Sequence, residues 1–360
     1  MIRTAVFPRR YVQGRGALAQ FGMEAAKLGS RVFGLCDTFA LDQVSARLGL
    51  VDGVSLDLQG FTGHCTRPEL DAVIASMRAA NADVVAAFGG GSVIDVGRAA
   101  AAELKLPFMS VATIAASDAP VSGISILYDD KGVMLGRINV RNPDVVIVDT
   151  ALIVEAPVRF FIAGIGDGLA TWYEADSCRR AFAGNVAKEQ GAALAHATAQ
   201  LCRDTILRCG RQAVADCAAH LATPDVEAVL EATVLMSGVG FESGGVAAAH
   251  GIHNGMTEIA GTRPYLHGEK VAFGLLASLF LSERPDEMRR ELFSFCADVG
   301  LPVRLHQIGF DVTNKADLQL VGERTCKPGS NIHNEPFDVS PQDIVIALQA
   351  ADRYGVAFEK

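Results

Sequence analysis

The order of apolar and polar residues differs between the first and the second part of this chain. In the first part, short apolar runs alternate with stretches whose apolar residues recur at helical spacing, as in 69–82. Strands are indicated by the runs RVFGLCD (31–37), VSLDLQG (54–60), DVVAAFGGG (83–91), PFMSVATI (107–114) and DVVIVDT (144–150). Strands that alternate with helices predict βαβ units and a mostly parallel, Rossmann-like sheet.

From about Ala163 onward the pattern is helical instead. The chain there is rich in Ala, Leu and Glu, β-branched runs are few, and 185–210 has the pattern of one long helix. A chain of 360 residues is also longer than one ordinary core requires. The sequence therefore predicts an α/β domain over 1–157 and an all-helical domain over 158–360.

Composition and charge narrow the class of protein. Hydrophobic residues make up 50% of the chain and charged residues 20%, which is typical of a globular protein. The net charge of −9 speaks against a nucleic-acid partner, which would favour a basic patch. The longest apolar run, near Val271–Leu281, is half the roughly 20 residues that a bilayer span needs, so we expect a buried helix and no membrane partner.

The cysteines and the start of the chain bear on the cellular compartment. Eight cysteines are scattered without a CxxC pair, and the opening stretch MIRTAVFPRRYVQG lacks the apolar segment of a secretory signal. Free thiols are therefore expected rather than disulfides, and the expected location is the reducing cytoplasm.

Three consecutive glycines end one predicted strand and begin a helix, in FGGGSVIDVGRAAA (88–101). Glycines let backbone N–H groups approach a ligand closely, and the unpaired N–H groups of a helix N-terminus favour an anion. The stretch therefore predicts a pyrophosphate site, although a tight turn without a ligand has the same pattern. It lacks the GxGxxG spacing and follows several strands, so it is not an ordinary Rossmann fingerprint.

Asp37 ends the predicted strand 31–37. An acid at such a strand end accepts hydrogen bonds from the adenosine ribose of NAD and repels the 2′-phosphate of NADP. The alternative role is to cap the helix that follows. The residue alone does not separate the two roles.

Three histidines lie close together in the second part, His250 and His253 in FESGGVAAAHGIHNG (241–255) and His267 in YLHGEKVAFG. His250 and His253 are one helical turn apart, a spacing at which both can bind one metal. Satisfied core histidines are the ordinary alternative. From the residues alone, three, two or none of them are metal ligands.

Five segments together resemble the glycerol dehydrogenase branch of the iron-containing alcohol dehydrogenase superfamily. They are FGGGSVIDVGRA, SVATIAASDAPVSGISILYDDKG, GIGDGLATWYEA, GFESGGVAAAHGIHNG and YLHGEKVAFG. They stand in the expected order, and the resemblance extends from 11–18 to 331–355. It implies a two-domain fold like that of dehydroquinate synthase, with a dinucleotide-binding first domain and a metal-binding, catalytic second domain.

The resemblance implies that Asp167, His250 and His267 hold one divalent metal. Zinc is usual in this branch, and iron(II) is more usual among the relatives. In the wider superfamily a further histidine often stands four residues after the aspartate, where this chain has Thr171. Three protein ligands with open positions agree with a catalytic site, whereas helix capping is the alternative role for Asp167.

The resemblance also implies the residues that contact NAD and substrate. Asp37 would bind the adenosine ribose, Asp118 would bind a substrate hydroxyl unless it only forms a turn, and His253 would line the cleft or relay a proton. The remaining cofactor contacts would come from Gly89, Gly90, Gly91, Ser92, Asp95, Thr113, Ser122, Ile124 and Tyr128. Ser92 stands where glycerol dehydrogenases commonly have Lys, and Ala116 where they have Ser, so both departures lie near the cofactor.

The reaction that the resemblance implies is hydride transfer between a small vicinal diol, such as glycerol, and NAD in a homo-oligomer of two to eight chains. The first alternative is the same chemistry on another small alcohol, an aldehyde, a hydroxyketone or an anionic diol. The second is a lyase like dehydroquinate synthase, which needs many basic groups, and beyond Lys270 the metal motifs contain few. The third is an inactive binding protein, which would have lost a metal ligand.

Overall fold

A computed structural model describes residues 2–129, 134–282 and 284–359. Its strands are β1 (Arg3–Thr4), β2 (Tyr11–Gly14), β3 (Arg31–Asp37), β4 (Ser55–Phe61), β5 (Val84–Gly89), β6 (Phe108–Ala112), β7 (Ile124–Tyr128), β8 (Met134–Asn139), β9 (Val145–Asp149) and β10 (Gln190–Gly191). Its α-helices are α1 (Phe21–Ala26), α2 (Leu41–Arg47), α3 (Arg67–Ala79), α4 (Gly91–Leu104), α5 (Thr150–Ile153), α6 (Val158–Ala181), α7 (Ala193–Ala218), α8 (Pro224–Leu230), α9 (Ser237–Gly244), α10 (Ala248–Met256), α11 (His267–Ser278), α12 (Asp286–Val299), α13 (Lys315–Thr325) and α14 (Pro341–Gly355). The last residues of the segment SVATIAASDAPVSGISILYDDKG lie outside the described residues.

The first part of the fold is a parallel sheet with apolar clusters on both faces. Six strands pair in the order β2–β9–β6–β5–β3–β4, and every pair is parallel. Alternate residues of a strand face opposite sides of a sheet. In β5, Val85 and Ala87 accordingly join one apolar cluster, and Val84 and Ala86 join the other. Burial on both faces explains why these strands appear in the sequence as continuous apolar runs.

The five strands predicted from the apolar runs are confirmed as β3, β4, β5, β6 and β9. The strand predictions do not include the antiparallel hairpin of β7 and β8, which lies outside the six-stranded sheet. The backbone N–H of Tyr128 in β7 donates to the carbonyl of Cys65 at 2.8 Å. The hairpin is therefore attached to the loop that precedes α3.

From Val158 onward the described chain is helical apart from the two-residue strand β10. One large apolar cluster includes Leu169 of α6 and Phe273 of α11. It also includes Val146 and Val148 of β9, so the core is continuous between the sheet and the helices. A division of the chain at 157/158 stays a prediction.

The prediction of one helix over 185–210 is wrong at its start, because α7 begins only at Ala193. The side chain of Asn185 accepts hydrogen bonds from the backbone N–H groups of Ala187 and Glu189, at 3.0 and 3.1 Å, and so closes a loop. Lys188 has a φ of 62°, which a helix does not contain. The chain then pairs as β10 with β1.

The apolar run near Val271–Leu281 belongs mostly to α11, whose residues from Val271 to Ala277 are buried in the core, as the sequence predicts. Among the described residues, no helix combines the length and the apolar character needed to cross a membrane.

Candidate active site

Three side chains that could hold a metal converge in the helical part. Asp167 comes from α6, His250 from α10 and His267 from α11. The Nε2 atoms of His250 and His267 lie 3.5 and 3.3 Å from Oδ1 of Asp167. One donor atom from each residue can be chosen so that all three lie within 4.8 Å of one another. An oxygen and two imidazole nitrogens at such separations are a donor set that fits one divalent metal of the zinc or iron type.

Glycines allow the three helices to approach this closely. A Cβ atom on Gly268 would lie 1.9 Å from the carbonyl oxygen of Ala163, and one on Gly166 would lie 2.5 Å from the carbonyl oxygen of Gly268. Likewise, a Cβ on Gly274 would lie 2.4 Å from the carbonyl oxygen of Ala249. Helix α11 therefore packs backbone to backbone against both α6 and α10. Three of these positions are next to Asp167, His250 and His267 in the chain.

Glu174 binds the ring nitrogen of His250 that faces away from Asp167. Its Oε2 atom lies 2.6 Å from Nδ1 of His250, and its Oε1 atom accepts the backbone N–H groups of Ala247 and His250 at 2.8 and 2.9 Å. Burial opposes protonation of His250, but the charges of Glu174 and Asp167 hold its pKa well above the usual value. Glu174 was not predicted from the sequence, although it follows Asp167 by seven residues and so lies on the same face of α6.

His253 lies behind His267. Its Nε2 atom is 3.1 Å from Nδ1 of His267, and its Nδ1 atom is 3.1 Å from Oδ1 of Asn254. Burial, followed by the charge of His267, lowers the pKa of His253 well below its usual value. A neutral His253 that donates to Asn254 can accept the Nδ1–H of His267, and this leaves Nε2 of His267 free to face Asp167.

The electrostatics favour an ionised Asp167. Burial raises the pKa of this carboxyl group, but His267 and His250 outweigh burial and hold it below its ordinary value. Asp167 is 3% exposed as a side chain, whereas His267 is 42% exposed. The cluster is therefore closed at the carboxylate and open at His267, which leaves access for a substrate.

Asp118 lies in the turn after β6 and receives a hydrogen bond from Ser237. The Oγ atom of Ser237 donates to Oδ2 of Asp118 at 2.8 Å, and Oγ1 of Thr171 lies 2.9 Å from the same Ser237 oxygen. Loss of solvation and the negative charge of Asp167 raise the pKa of Asp118 to about 8. Asp118 is therefore close enough to the metal-binding cluster to sense its charge.

The glycine turn lies at the carboxyl edge of the sheet. Strand β5 ends at Gly89, Gly90 is the N-cap of α4, and α4 begins at Gly91. A Cβ on Gly89 would lie 2.7 Å from Cβ of Val93, so packing alone requires this glycine, whereas a Cβ on Gly90 would meet the flexible end of Ile114, Cδ1, at 2.6 Å. A Cβ on Gly91 would make only an ordinary contact of 3.6 Å. The third glycine and the partly exposed Ser92 thus leave the helix N-terminus accessible to an anion.

Of the other predicted cofactor residues, Thr113 adjoins this turn, and others lie in or just before β7. The backbone N–H of Thr113 donates to Gly89 at 3.2 Å, while Ser122 and Ile124 are buried at the start of the β7–β8 hairpin. Tyr128 ends β7, and burial raises its pKa to about 12. The glycine turn begins α4, and the hairpin is bonded to Asp95 and Arg98 of the same helix.

Asp95 is buried on α4 and is already engaged by protein groups. Its Oδ2 accepts the backbone N–H of Ile126 at 3.1 Å, and its Oδ1 lies 3.3 Å from the guanidinium of Arg98. Arg98 also donates to the carbonyl groups of Ile124 and Ala119. Asp95 and Arg98 thus tie β7 to α4, and a direct contact of Asp95 with a cofactor stays a prediction.

Asp37 lies at the same edge of the sheet as the glycine turn, because β3 and β5 are parallel neighbours. One carboxylate oxygen, Oδ1, accepts the backbone N–H of Phe39 at 3.0 Å. The local turn therefore uses one oxygen of Asp37, and the other can serve a ribose. The helix-capping role is not observed, because the N-cap of α2 is Ala40 and has no side-chain capping bond, and the ribose contact stays a prediction.

Glu242 of α9 connects the helices to the β7–β8 region and is a second residue that was not predicted from the sequence. Its two carboxylate oxygens accept the backbone N–H of Gly123 at 3.1 Å, and the amide of Asn142 donates to it at 2.5 Å. Burial raises its pKa. In the sequence, Glu242 is 119 residues from Gly123 and 100 residues from Asn142, so no spacing rule predicts these contacts.

A glycine turn at a parallel sheet, next to three convergent metal-binding side chains, is the arrangement of a metal-dependent oxidoreductase that uses a dinucleotide. The chain is 44% identical to the glycerol dehydrogenase of Thermotoga maritima, and the match covers 99% of this chain and 98% of the relative. It is 38% identical to the glycolaldehyde reductase of Halobacterium salinarum, with 98% of each covered. The crystal structure of glycerol dehydrogenase from Schizosaccharomyces pombe has a TM-score of 0.95, 34% identity, and 99% and 92% coverage of this chain and of that chain.

The family model of iron-containing alcohol dehydrogenase matches residues 8–150 of this chain. The chain belongs to the iron-containing alcohol dehydrogenase family. Membership makes it an NAD-dependent alcohol dehydrogenase that requires a divalent metal, and it confirms the fold class expected from the sequence.

Proposed function

We propose that this enzyme interconverts a small vicinal diol and the corresponding hydroxyketone, with glycerol and dihydroxyacetone as the type. The observation that carries the proposal is the convergence of Asp167, His250 and His267, beside which Asp118 presents a carboxylate. A relative at 44% identity is a glycerol dehydrogenase. A diol has one hydroxyl for the metal and a second hydroxyl for Asp118.

The side chains would divide the work as follows. Asp167 and the Nε2 atoms of His250 and His267 would hold the metal, and Asp118 would accept a hydrogen bond from the substrate. When bound, the metal is a Lewis acid that lowers the pKa of an alcohol, and NAD is the hydride acceptor. Glu174 would keep His250 oriented.

His253 would belong to the catalytic assembly as the acceptor that orients His267. Both of its ring nitrogens have protein partners, so any proton that it relays would pass through His267. This assigns His253 an orienting task and keeps it next to the cleft. The assignment agrees with the lowered pKa of its ring.

The cofactor would lie along the carboxyl edge of the sheet, in the domain proposed for 1–157. Its pyrophosphate would meet the N-terminus of α4, its adenosine ribose would meet Asp37, and its nicotinamide would lie near the hairpin. The contacts would come from Gly89, Gly90, Gly91, Ser92, Asp95, Thr113, Ser122, Ile124 and Tyr128. This path would end at the metal-binding helices proposed as the domain 158–360.

Zinc is the metal that we propose, with iron(II) as the alternative. One carboxylate and two imidazoles with an open side match catalytic zinc sites, whereas iron(II) suits the same donors. Metal analysis of the purified protein, followed by reconstitution of the metal-free protein with each ion, identifies the ion that restores activity.

Steady-state kinetics test the proposed reaction. Glycerol and 1,2-propanediol should each give NADH with NAD, and dihydroxyacetone should consume NADH, because both directions use the same site. Asp167→Asn should reduce these rates to background and lower the metal content. Asp71 is an exposed carboxylate of α3 that pairs with Arg67, so Asp71→Asn is the matched control and should change neither the rates nor the metal content. A glycerol rate no higher than background would refute the proposed reaction.

The first alternative is the same chemistry on an aldehyde or a hydroxyketone. The observation in its favour is the 38% identity to a glycolaldehyde reductase. An anionic diol fits less well, because the ionised carboxylate of Asp167 lies at the centre of the cluster. The lyase alternative fits least, since the groups near the metal ligands are acidic or hydroxyl groups, namely Asp118, Glu174 and Ser237. Release of NADH into solution separates a dehydrogenase from such a lyase.

We also propose that the chain assembles into a homo-oligomer, between a dimer and an octamer, and acts in the cytoplasm. Leu194 and Leu201 are 57% and 50% exposed, and they lie seven residues apart on one face of α7. Phe182 is 71% exposed, and its carbonyl accepts the side chain of Gln190, which precedes α7. All eight cysteines are free thiols, which suits a reducing compartment. Light scattering on the purified protein measures the assembly.

A further inference from the structure

A chain of three hydroxyl and carboxyl groups connects α6 to the turn that carries Asp118. Thr171 Oγ1 lies 2.9 Å from Ser237 Oγ, and Ser237 Oγ lies 2.8 Å from Asp118 Oδ2. When Asp118 is ionised, Ser237 donates its one hydroxyl proton to that carboxylate, and the Thr171 hydroxyl then donates to Ser237. Thr171 and Ser237 are 3% and 0% exposed, so water does not compete for these bonds.

The packing of α9 fixes the middle of this chain. Ser237 is the first residue of α9 and follows the π-helical turn Glu231–Met236. A Cβ on Gly238 would lie 2.7 Å from Val121, and one on Gly240 would lie 2.7 Å from Thr171. Helix α9 is therefore in close contact with the Asp118 turn on one side and with α6 on the other. This packing fixes the backbone position of Ser237 relative to the Asp118 turn.

Thr171 lies one helical turn after Asp167 on α6. The same helix therefore positions a metal-binding carboxylate and the first member of the hydrogen-bond chain. In the described part of the protein, Ser237 is the one side chain that donates a hydrogen bond to Asp118. Because Ser237 holds Oδ2, the carboxylate can rotate little, and Oδ1 is left to accept a hydrogen bond from a substrate.

We infer that Ser237, itself oriented by Thr171, is a positioning residue that makes Asp118 select substrates with a second hydroxyl next to the reacting one. This inference rests on the proposed function and specifies how that site distinguishes a diol from a simple alcohol. A fixed acceptor binds a substrate that has the second hydroxyl more tightly, because the acceptor stays buried and unpaired when that hydroxyl is missing. A carboxylate that is free to rotate discriminates less.

The test compares two substrates that differ by one hydroxyl group, 1,2-propanediol and 2-propanol. Ser237→Ala should lower kcat/KM for 1,2-propanediol by about ten- to hundredfold, mainly through KM, because the second hydroxyl is also held in the ground state. The value for 2-propanol should change less than about threefold. Where the 2-propanol rate is below detection, its inhibition constant against 1,2-propanediol gives the affinity.

Thr171 offers a matched pair of variants. Thr171→Val keeps the shape but removes the hydroxyl, and it should lower the diol preference by about three- to tenfold. Thr171→Ser keeps the hydroxyl and should retain the preference of the parent enzyme. All variants should bind the metal with the parent affinity in a chelator competition, and this readout does not depend on activity.

The outcomes separate the inference from the proposed function. An equal loss on both substrates in Ser237→Ala, or no loss on either, rejects the positioning role and leaves the diol dehydrogenase assignment intact. A parent enzyme without a rate on 1,2-propanediol, or without preference for it over 2-propanol, rejects the diol assignment and the inference with it. Weakened metal binding in Ser237→Ala would assign the residue to the metal site instead.

Discussion

At the scale of single residues, the two ring nitrogens of each metal-binding histidine have different partners. His250 and His267 both direct Nε2 towards Asp167, and both have a protein partner at Nδ1, Glu174 for the first and His253 for the second. An outer partner fixes the tautomer and the orientation of a metal-binding ring, and its loss costs metal affinity. The two outer partners differ in charge, so we expect Glu174 to matter more.

Glu174→Gln should weaken metal binding by about ten- to hundredfold. A glutamine side chain has one acceptor oxygen, whereas Glu174 uses one oxygen for two backbone N–H groups and the other for the His250 ring. Competition with a chromogenic chelator measures the affinity of the parent and the variant.

Glu335→Gln is the matched control, because Glu335 accepts the backbone N–H of Ala248 at the same end of α10. It should leave the metal affinity within about threefold of the parent, since the one acceptor oxygen of glutamine suffices for the N–H of Ala248. If both variants lose affinity equally, the end of α10 and not the His250 ring accounts for the effect.

The chemistry-bearing residues were predictable from the sequence to different degrees. Asp167, His250 and His267 stand in motifs of recognisable composition, and the structure brings them together. Glu174 and Glu242 are ordinary glutamates in sequence, and only the folded chain shows which buried N–H groups they satisfy. Asp95 stands in the glycine motif, but its carboxylate is directed to Ile126 and Arg98, a choice that packing makes and that no local pattern reveals.

At the scale of the elements, the separation of α6 and α11 sets the distance between Asp167 and His267. Gly268→Ala should destabilise the protein by about 1–3 kcal/mol and weaken metal binding at least tenfold, because the new methyl group would meet the carbonyl of Ala163 at 1.9 Å and force the helices apart. Urea denaturation and chelator competition measure the two effects.

Gly136→Ala is the control for this change, because nothing lies within 4 Å of the added atom. It should alter neither quantity appreciably. Loss of stability in Gly268→Ala with an unchanged metal affinity would show that the spacing of these helices does not control the site.

Sequence periodicity predicted the elements well where burial on both faces leaves an unbroken apolar run, as in β5 and β9. It failed at 185–192, where alanines suggest a helix but the Asn185 side chain closes a loop and β10 pairs with β1. The hairpin of β7 and β8 is likewise determined by its attachment to Cys65 and Asp95, which lie distant in sequence. Tertiary contacts override local propensity in both cases.

At the scale of the whole molecule, metal binding is a property of the helical part, since α6, α10 and α11 each supply one ligand. A metal that binds only the folded state adds about 4 kcal/mol of stability when its concentration is a thousand times the dissociation constant. The central strand β5 packs in apolar clusters that are separate from the helical core, and it gains nothing directly. The stabilisation should therefore be uneven across the fold.

Removal of the metal with a chelator should lower the unfolding midpoint of the parent enzyme by about 5 to 10 °C, and added zinc should restore it. Hydrogen exchange should accelerate in 158–181, 248–256 and 267–278, where the ligand-bearing helices lie, and should stay slow in 84–89, the central strand β5. The variant Asp167→Asn should already melt at the lower temperature and should not respond to the chelator. If the chelator lowers the midpoint of that variant equally, or if exchange accelerates in β5 as much as in the helices, then the metal that stabilises the protein does not lie between these three helices.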